Sequence, residues 1–463
     1  MRAVLLALLS LFALIPSWAV SQTPTNMTAL RGLAPVAVLL KTAAGKAALA
    51  ANLSVTGDIQ TGVLKQPILL PWPEQQLHAL RDAFITDGNA AELADGLGTK
   101  LGDAYQATAR YEDWKTFTSV SQTVADLIGY TNNVTKADSN SGKFFFANLT
   151  QDGKKPVSET AAAMLTEMGG VPDVFGRAYG RPAGSTGADA FGNSRPFQTE
   201  PRLVAYRGPD YFGKPSHTID WLRGPSQNLT DSPSYPSGHT TYGYTESLLL
   251  AVMVPERYQQ MVARGAEYGN NRIVLGAHYA MDVLGGRTLA LHDVAHLLAN
   301  HPAYVGPPRT NPAEINAMGQ VSRDTIAVTD YQATFGAARK ELRAFLETKC
   351  GGPIAGCAQA DTSRFKDAAA NEAFYAVTQT YGLPVVYQAS ADRSVDIDKE
   401  APEAGYLLTA AFPTLTLGEA NAILTETLGP GGGFLDDGSA FGLYSRINLY
   451  AAAGKAAALA SKR

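Results

Sequence analysis

The sequence has little charge of either sign and almost no net charge. Of its 463 residues, 17% are charged and 45% are hydrophobic, and the formal net charge is −4. This hydrophobic share is typical of a globular protein and excludes a chain that is disordered throughout. A balance so close to neutrality gives no support for nucleic-acid binding or for a basic patch that docks on a membrane.

Long apolar runs are lacking after the first residues. Arg2 precedes an apolar stretch, Ala3–Ile15, and the triplet Ser17-Trp18-Ala19 has the small-x-small form of a signal-peptidase site. The stretch is shorter than the ~20 residues that span a bilayer. The sequence therefore predicts a signal peptide over residues 1–19 and export to the periplasm or the medium. We expect no stable membrane insertion after cleavage.

Cysteine is scarce: Cys350 and Cys357 are the only two, close together in "KCGGPIAGCAQ". In an exported protein this pattern predicts a short-loop disulfide. Two thiolates without nearby histidine or cysteine do not complete a metal site. No cofactor and no metal ion are expected.

The alternation of polar and apolar residues that marks β-strands is also scarce, so the predicted fold is mainly α. We expect a helical domain over residues 20–301 and a mostly helical C-terminal accessory region over 302–463 that packs against it. A Gly-, Pro- and Arg-rich segment, 171–235, interrupts the first domain, as functional or disordered segments do. Helical periodicity follows it in three pieces, at 239–254, 255–268 and 276–299.

Three short segments around this interruption hold the residues suited to catalysis. In "NRIVLGAHYAMD", His278 and Asp282 are four apart in a helical pattern, which puts both on one face. A carboxylate at that distance makes an imidazole a better nucleophile or base. Taken alone, this spacing is better explained by an ordinary pair on a helix surface, which brings a modest electrostatic benefit.

The other two segments offer anion-binding groups. In "PSGH", Ser237 and Gly238 stand at a predicted helix start, where unpaired N–H groups favour an anion, and His239 follows in the first turn. Simple N-capping by Ser237 is the alternative. Arg195 and Arg272 add guanidinium groups, which bind phosphate oxygens in pairs. Together the segments favour phosphoryl transfer to a histidine.

These segments resemble the signature of the type 2 phosphatidic acid phosphatase superfamily, which includes soluble bacterial acid phosphatases and vanadium haloperoxidases. The family pattern is Lys-x6-Arg-Pro, Pro-Ser-Gly-His, then Ser-Arg-x5-His-x3-Asp. Here Asn271 replaces the serine of the third motif, and Ala188 stands where the first motif has lysine. The resemblance implies an α-helical bundle and covers about residues 171–300.

The resemblance also implies a role for each matching residue. His278 would be the nucleophile, Asp282 its orienting partner and His239 the general acid, while the phosphate would be held by Arg195, Arg272 and the backbone of Ser237 and Gly238. Three cations in the irregular segment are candidates to replace the missing lysine, and spacing does not choose among them. They are Arg177, Arg181 and Lys214.

The leading hypothesis is an exported, metal-independent acid phosphatase that acts on small phosphate esters, with vanadate as an inhibitor at the phosphate site. The first alternative is a vanadium-dependent haloperoxidase, and the Ala188 departure argues against it. A lipid-phosphate phosphatase is disfavoured because such relatives place these motifs in membrane helices. A non-enzymatic binding protein of the same fold is the alternative from another class, but the retained His278 and Asp282 disfavour it. The oligomeric state is not predicted.

Overall fold

Helices make up nearly all the regular structure in the computed structural model. It describes residues 22–63, 68–83, 90–109, 111–113, 116–117, 119–200, 202, 231–306, 309–310 and 325–463. The expected signal peptide and Lys214 lie outside the described residues. The prediction of a mainly α fold is confirmed. Strands in the described part form two antiparallel pairs, β1 (Tyr111–Asp113) with β2 (Thr116–Phe117) and β3 (Arg309–Thr310) with β4 (Thr325–Ile326).

The amino-terminal part contains one long helix and several shorter ones. The helices are α1 (Pro24–Leu33), α2 (Ala43–Gln60), α3 (Trp72–Asp82), α4 (Thr99–Thr108), α5 (Gln122–Asn148), α6 (Glu159–Glu167), α7 (Val174–Ala178) and α8 (Pro196–Thr199), with 3₁₀ turns at Ala34–Lys41 and Glu92–Leu97. Helix α5 runs for 27 residues and begins at Ser121, whose hydroxyl accepts from the N–H of Val124 at 3.2 Å. That cap satisfies one of the orphan donors of the first turn.

Three helices form the centre of the fold, close to the predicted pieces. They are α9 (Gly238–Met253), α10 (Tyr258–Val274) and α11 (Ala280–Leu298), with a 3₁₀ turn at Pro255–Arg257. The second predicted piece ended too early, at residue 268. The third began too early, because Gly276 has a left-handed φ of 72° and ends the preceding helix.

The carboxy-terminal part packs on α10 and α11, as expected. Its helices are α12 (Tyr331–Cys350), α13 (Ile354–Gln359), α14 (Ala368–Thr378), α15 (Gln388–Ala391), α16 (Ile397–Glu400), α17 (Tyr406–Thr409), α18 (Leu417–Glu426), α19 (Ala440–Leu443) and α20 (Leu449–Ala460), with 3₁₀ turns at Arg364–Lys366, Pro402–Gly405 and Tyr444–Arg446. The Tyr258 hydroxyl donates to the Leu407 carbonyl at 2.8 Å. The domain boundary at residue 301 stays a prediction.

The predicted disulfide between Cys350 and Cys357 is present, with the two Cα atoms 6.1 Å apart. It joins the end of α12 to α13, on the carboxy-terminal side of the fold.

Within the described ranges, no single helix is long and apolar enough to cross a membrane. One bent pair, Pro24–Lys41 with Ala43–Gln60, meets the length and composition criteria together and bends by 99°.

Candidate active site

The start of α9 is one wall of the candidate site. The Ser237 hydroxyl accepts from the N–H of Thr240 at 3.1 Å, which makes this residue the N-cap. The backbone N–H of Ser237 donates to the carbonyl of Asp282 at 3.1 Å. The expectation that this N–H binds phosphate is therefore corrected, since it is already occupied. The N–H groups of Gly238 and His239 are the next two of the helix and have no acceptor within it.

A tight turn between α10 and α11 brings Arg272 and His278 together. The carbonyl of Arg272 accepts from the N–H groups of Ala277 and His278, at 3.1 and 3.2 Å. Gly276 makes this reversal possible because its left-handed φ of 72° is strained for residues with a side chain. The guanidinium of α10 and the imidazole before α11 therefore belong to one pocket.

His278 and Asp282 are in contact, but not on one helical face. His278 precedes α11, which begins at Ala280, so the carboxylate of the first turn reaches back to it. Nδ1 of His278 lies 3.2 Å from Oδ2 of Asp282. The same oxygen accepts from the Tyr279 N–H at 2.8 Å and from the Ser234 hydroxyl. These contacts fix the carboxylate, and through it the plane of the imidazole.

Arg195 determines which nitrogen of His278 is available to a substrate. Its Nη1 lies 3.0 Å from Nε2 of His278, and a guanidinium only donates. Nε2 therefore carries the lone pair, and Nδ1 carries the hydrogen that points to Asp282. Arg195 is held in place by the carbonyls of Ser232, at 2.6 Å from Nε, and Ala277, at 2.9 Å from Nη1.

Arg272 is fully buried, and its guanidinium has no hydrogen-bond partner in the part of the chain that the structure describes. Among the described residues, none accepts a hydrogen bond from its Nε, Nη1 or Nη2. A buried charge without a partner costs several kcal/mol, so such groups are paired in folded proteins or bind ions. Burial lowers the pKa of Arg272, because the charged guanidinium is removed from water. The unpaired guanidinium of Arg272 is therefore suited to bind an oxyanion.

The ionisation of the site follows from its burial and its positive charge. Burial first, and then Arg195 and Arg272, hold the pKa of His278 well below its usual range. His239 is lowered likewise, by burial and then by Arg272. Burial raises the pKa of Asp282 to about 7, against the opposing effect of its bond from Ser234. Both imidazoles are therefore neutral in the empty pocket, and a bound dianion would raise their pKa values again.

Comparison with known proteins agrees with this geometry. Residues 185–302, which contain all the motifs described above, match the model of the PAP2 superfamily. This part of the chain is similar to the PAP2 superfamily.

Several curated bacterial enzymes are similar to a short stretch of this chain. A non-specific acid phosphatase of Salmonella typhimurium is 44% identical over 69 residues, 15% of this chain and 28% of that relative. An acid phosphatase of Zymomonas mobilis is 41% identical over 71 residues, 15% and 27% respectively. One from Providencia stuartii is 39% identical over 72 residues, 16% and 29%. The chain thus spans less than a third of the length of these relatives.

The chain departs from the PAP2 motifs at Asn271, which the structure ties to a buried polar network. The side-chain amide of Asn271 donates to Asp82 at 2.8 Å and accepts from Gln75 at 2.6 Å. Both partners are on α3, which is far away in the sequence. Asn271 thus links the helix that carries Arg272 to α3, a contact that a serine is too short to make in the same way.

The same network contains the fully buried Arg264 and the partly buried Arg364. Arg264 donates from Nη1 and Nη2 to the two oxygens of Asp82, at 2.9 and 2.6 Å, and from Nε to Asp95 at 2.7 Å. Arg364, from the carboxy-terminal part, pairs with Glu267 at 2.6 Å and with Asp95 at 2.7 Å. The ion pairs fasten α3, α10 and the carboxy-terminal part to one another beside the candidate site.

Loss of the Asp82 carboxylate is expected to destabilise the fold strongly. Asp82→Asn leaves Arg264 partly unpaired in the interior, and breaking such a pair costs about 3–5 kcal/mol. Denaturant unfolding would measure this free energy. Lys455→Met, which removes an exposed pair with Glu426, is the control and should leave Tm unchanged. Equal stability of Asp82→Asn and the parent would contradict the role given to the network.

His78 makes this network sensitive to alkali. Burial alone would lower its pKa, but Asp82 and Glu267 outweigh that effect and raise the pKa to about 9. A histidine whose folded pKa lies above its unfolded value stabilises the fold fully below that unfolded value. Its contribution is lost as the pH rises towards 9. The network therefore suits a protein that works on the acid side.

The structure also brings into the pocket a cation that the motifs do not contain. Lys143, on α5, acts electrostatically on both His278 and His239. Its Nζ lies 3.3 Å from the point where a Cβ on Gly238 would stand. Tyr242, on α9, was also missed, and its hydroxyl lies 3.0 Å from that same point. The sequence gives little sign of either residue, because Lys143 precedes the matched segment and Tyr242 looks like an ordinary core aromatic.

Of the three cations predicted as replacements for the motif-one lysine, the two that the structure describes do not reach this place. Arg181 is exposed and donates to the carbonyl of Thr186 at 3.3 Å. Arg177 is also exposed, at the end of α7. Neither is among the charges that act most strongly on His278. Lys214 lies outside the described part of the chain.

Proposed function

We propose that the chain is an exported, metal-independent acid phosphatase that hydrolyses small phosphate monoesters through a phosphohistidine. The observation that carries the proposal is the buried, unpartnered guanidinium of Arg272 beside the Nε2 lone pair of His278. An oxyanion bound by Arg272 and Arg195 would stand within reach of that nitrogen. Export rests on the amino-terminal sequence alone.

In the first half of the proposed reaction, Nε2 of His278 attacks the phosphorus atom and forms a P–N bond as the ester P–O bond breaks. In the complex with the dianion, which raises its pKa, His239 is protonated and donates that proton to the departing oxygen, and the attacking water restores it in the second half. Asp282 accepts the hydrogen bond from Nδ1 and so stabilises the positive charge that develops on the ring. Arg195 and Arg272 stabilise the charge on the equatorial oxygens.

In the second half, water attacks the phosphorus atom and gives a proton to His239, which is now neutral. The P–N bond breaks, its electron pair returns to Nε2, and inorganic phosphate leaves. Every proton and charge in this cycle is handled by side chains. The cationic lining also repels a divalent metal ion, which favours chemistry without one.

The proposed function is tested by assaying the purified full chain on p-nitrophenyl phosphate at acidic pH, with and without a chelator. We expect hydrolysis that the chelator leaves unchanged and that vanadate inhibits, since vanadate binds as phosphate does. Activity that appears only when a divalent metal is added would contradict the proposal. Bromide oxidation by the vanadate-loaded protein in place of ester hydrolysis would favour haloperoxidase chemistry.

The role of His239 predicts a dependence on the leaving group. His239→Ala is expected to slow the hydrolysis of alkyl phosphates by about 10² to 10⁴, because their alkoxides need a proton as they depart. Hydrolysis of p-nitrophenyl phosphate, whose leaving group is stable as an anion, should fall much less. A series of esters of graded leaving-group pKa measures the difference. An equal loss across that series would argue against His239 as the acid.

A further inference from the structure

The first motif of the PAP2 pattern has a lysine at position 188, where this chain has alanine. The residue beside it is an aspartate, so this segment brings a carboxylate and no cation. The neighbouring Asp189 is buried, and its carboxylate accepts from the Phe191 N–H at 2.8 Å. Ala188 itself is held in a turn by a bond from its N–H to the Ser185 carbonyl. The pocket therefore needs a cation from another element to complete the set around a phosphate.

Lys143 comes to the pocket on α5, an element that carries none of the motif residues. Its side chain is half-buried, whereas Arg195 and Arg272 are fully buried. Nζ stands beside Gly238, at the first turn of α9, where the helix dipole already favours an anion. The charges of Arg195 and Arg272 act on Lys143, and its own charge acts on Asp282.

Among the described residues, Asp282 is the carboxylate whose opposite charge acts on the ammonium of Lys143. The repulsion from Arg195 and Arg272 acts on it more strongly. Arg195, Arg272 and Lys143 thus bring positive charge to one pocket, where Asp282 is the carboxylate that acts on Lys143 and Asp189 interacts with Arg195. Such a cluster repels itself unless an anion is bound, and a phosphate dianion would relieve the repulsion.

The absence of a side chain at Gly238 leaves space for the ammonium of Lys143 and the hydroxyl of Tyr242. A Cβ on Gly238 would stand 3.3 Å from Nζ of Lys143 and 3.0 Å from the hydroxyl of Tyr242. Contacts that short are tighter than ordinary van der Waals separation, so the glycine leaves space for both groups. The ammonium and the phenol therefore flank the first N–H groups of α9 together.

We propose that Lys143 supplies the phosphate contact that position 188 cannot make, with the Tyr242 hydroxyl beside it at the first turn of α9. The inference rests on the proposed phosphatase function and assigns the missing cation of that site. In the family pattern the lysine precedes Arg195 in the sequence, whereas here it is on α5. The positive charge that contacts the phosphate is the same in both arrangements. Lys143 thereby touches substrate and counts as a binding residue of the reaction.

The proposal carries a pH dependence. Burial, and then the charges of Arg195, Arg272 and Lys136, lower the pKa of Lys143 to about 7, while Asp282 opposes them. The groups around it that titrate are His239, His278 and Asp282, and both histidines are already neutral in the empty pocket. Lys143 is charged below pH 7 and loses its charge above it. Phosphate should therefore bind best on the acid side.

Titration calorimetry of inorganic phosphate with the full chain at pH 5 tests the proposal without any turnover. A charge-assisted contact contributes 1.5–3 kcal/mol, so Lys143→Met should raise the Kd of phosphate by about 10- to 100-fold. Lys155→Met, which removes an exposed lysine near the end of the same helix, should change nothing. An unchanged Kd in Lys143→Met would overturn the proposal.

Lys143→Arg gives a second readout that a merely structural lysine would not produce, and it serves if the methionine variant does not fold. Arginine keeps its charge at every working pH. The variant should match the parent at pH 5 and bind phosphate more tightly than the parent at pH 8, by up to about tenfold. The comparison at one pH cancels the titration of phosphate itself. Parallel pH dependence of the two proteins would overturn the proposal.

Failure of this inference is distinguishable from failure of the proposed function. Ester hydrolysis by the parent together with an unchanged phosphate Kd in Lys143→Met would leave the phosphatase standing and remove Lys143 from its site. Phosphate binding that depends on Lys143, in a protein that hydrolyses no ester, would support the assignment and remove the phosphatase.

Discussion

His278→Ala is expected to reduce kcat by about 10⁴-fold or more, because it removes the atom that forms the covalent bond to phosphorus. The geometry marks Nε2 of His278 as an acceptor, since Arg195 donates to it at 3.0 Å. Asp282 and Tyr279 keep the ring in this orientation. Steady-state kinetics on p-nitrophenyl phosphate would measure the loss.

The matched control for this variant is His301→Ala. His301 follows α11 at the exposed end remote in sequence from the pocket, so its loss should leave kcat unchanged. The alanine variant at 278 should still bind inorganic phosphate, because Arg195 and Arg272 remain. Retention of more than a few per cent of the parent kcat by His278→Ala would rule out His278 as the nucleophile.

Arg272→Met is expected to lower kcat/KM by about 10³ to 10⁵, the range over which an arginine stabilises a phosphoryl-transfer transition state. Its three guanidinium nitrogens have no partner among the described residues, so the phosphate oxygens would be their principal acceptors. Arg272→Lys should recover only part of the loss, because an ammonium cannot pair with two oxygens in the plane of a guanidinium fork.

The same substitution separates binding from stability. In the parent, the buried charge of Arg272 costs free energy while the pocket is empty, so Arg272→Met should unfold no more easily than the parent without phosphate. Added phosphate should raise the Tm of the parent and leave that of the variant nearly unchanged. A variant that is both inactive and strongly destabilised without phosphate would show a structural role for Arg272 instead.

Helix periodicity and motif spacing were sufficient for much of this molecule. The run "YQATFGAARKELRAFLETKC" has the same first and last residues as α12. The helix predicted after "PSGH" begins at the glycine of that motif. The mainly α fold and the disulfide of Cys350 with Cys357 are confirmed as well. These features depend on local preferences and on residues close together in the chain, which a sequence displays directly.

The parts that sequence reasoning missed depend on long-range packing or on local hydrogen-bond competition. Lys143 reaches the pocket only because α5 packs beside α9, which no spacing rule reveals. Ser237 was expected to offer its N–H to phosphate, but that group is taken by the carbonyl of Asp282 across the turn. His278 and Asp282 were placed on one helical face, whereas Gly276 delays the start of α11 until after His278. The contact between His278 and Asp282 was therefore predicted correctly, but the backbone conformation that produces it was not.

The most direct test of the central claim is to trap the covalent intermediate. The protein would be mixed with a ³²P-labelled phosphate monoester, quenched in alkali within milliseconds, digested and mapped by mass spectrometry. The proposed mechanism predicts acid-labile, alkali-stable label on the peptide that contains His278, and none in His278→Ala. Label on a different residue, or full turnover with no labelled protein at any time after mixing, would contradict it.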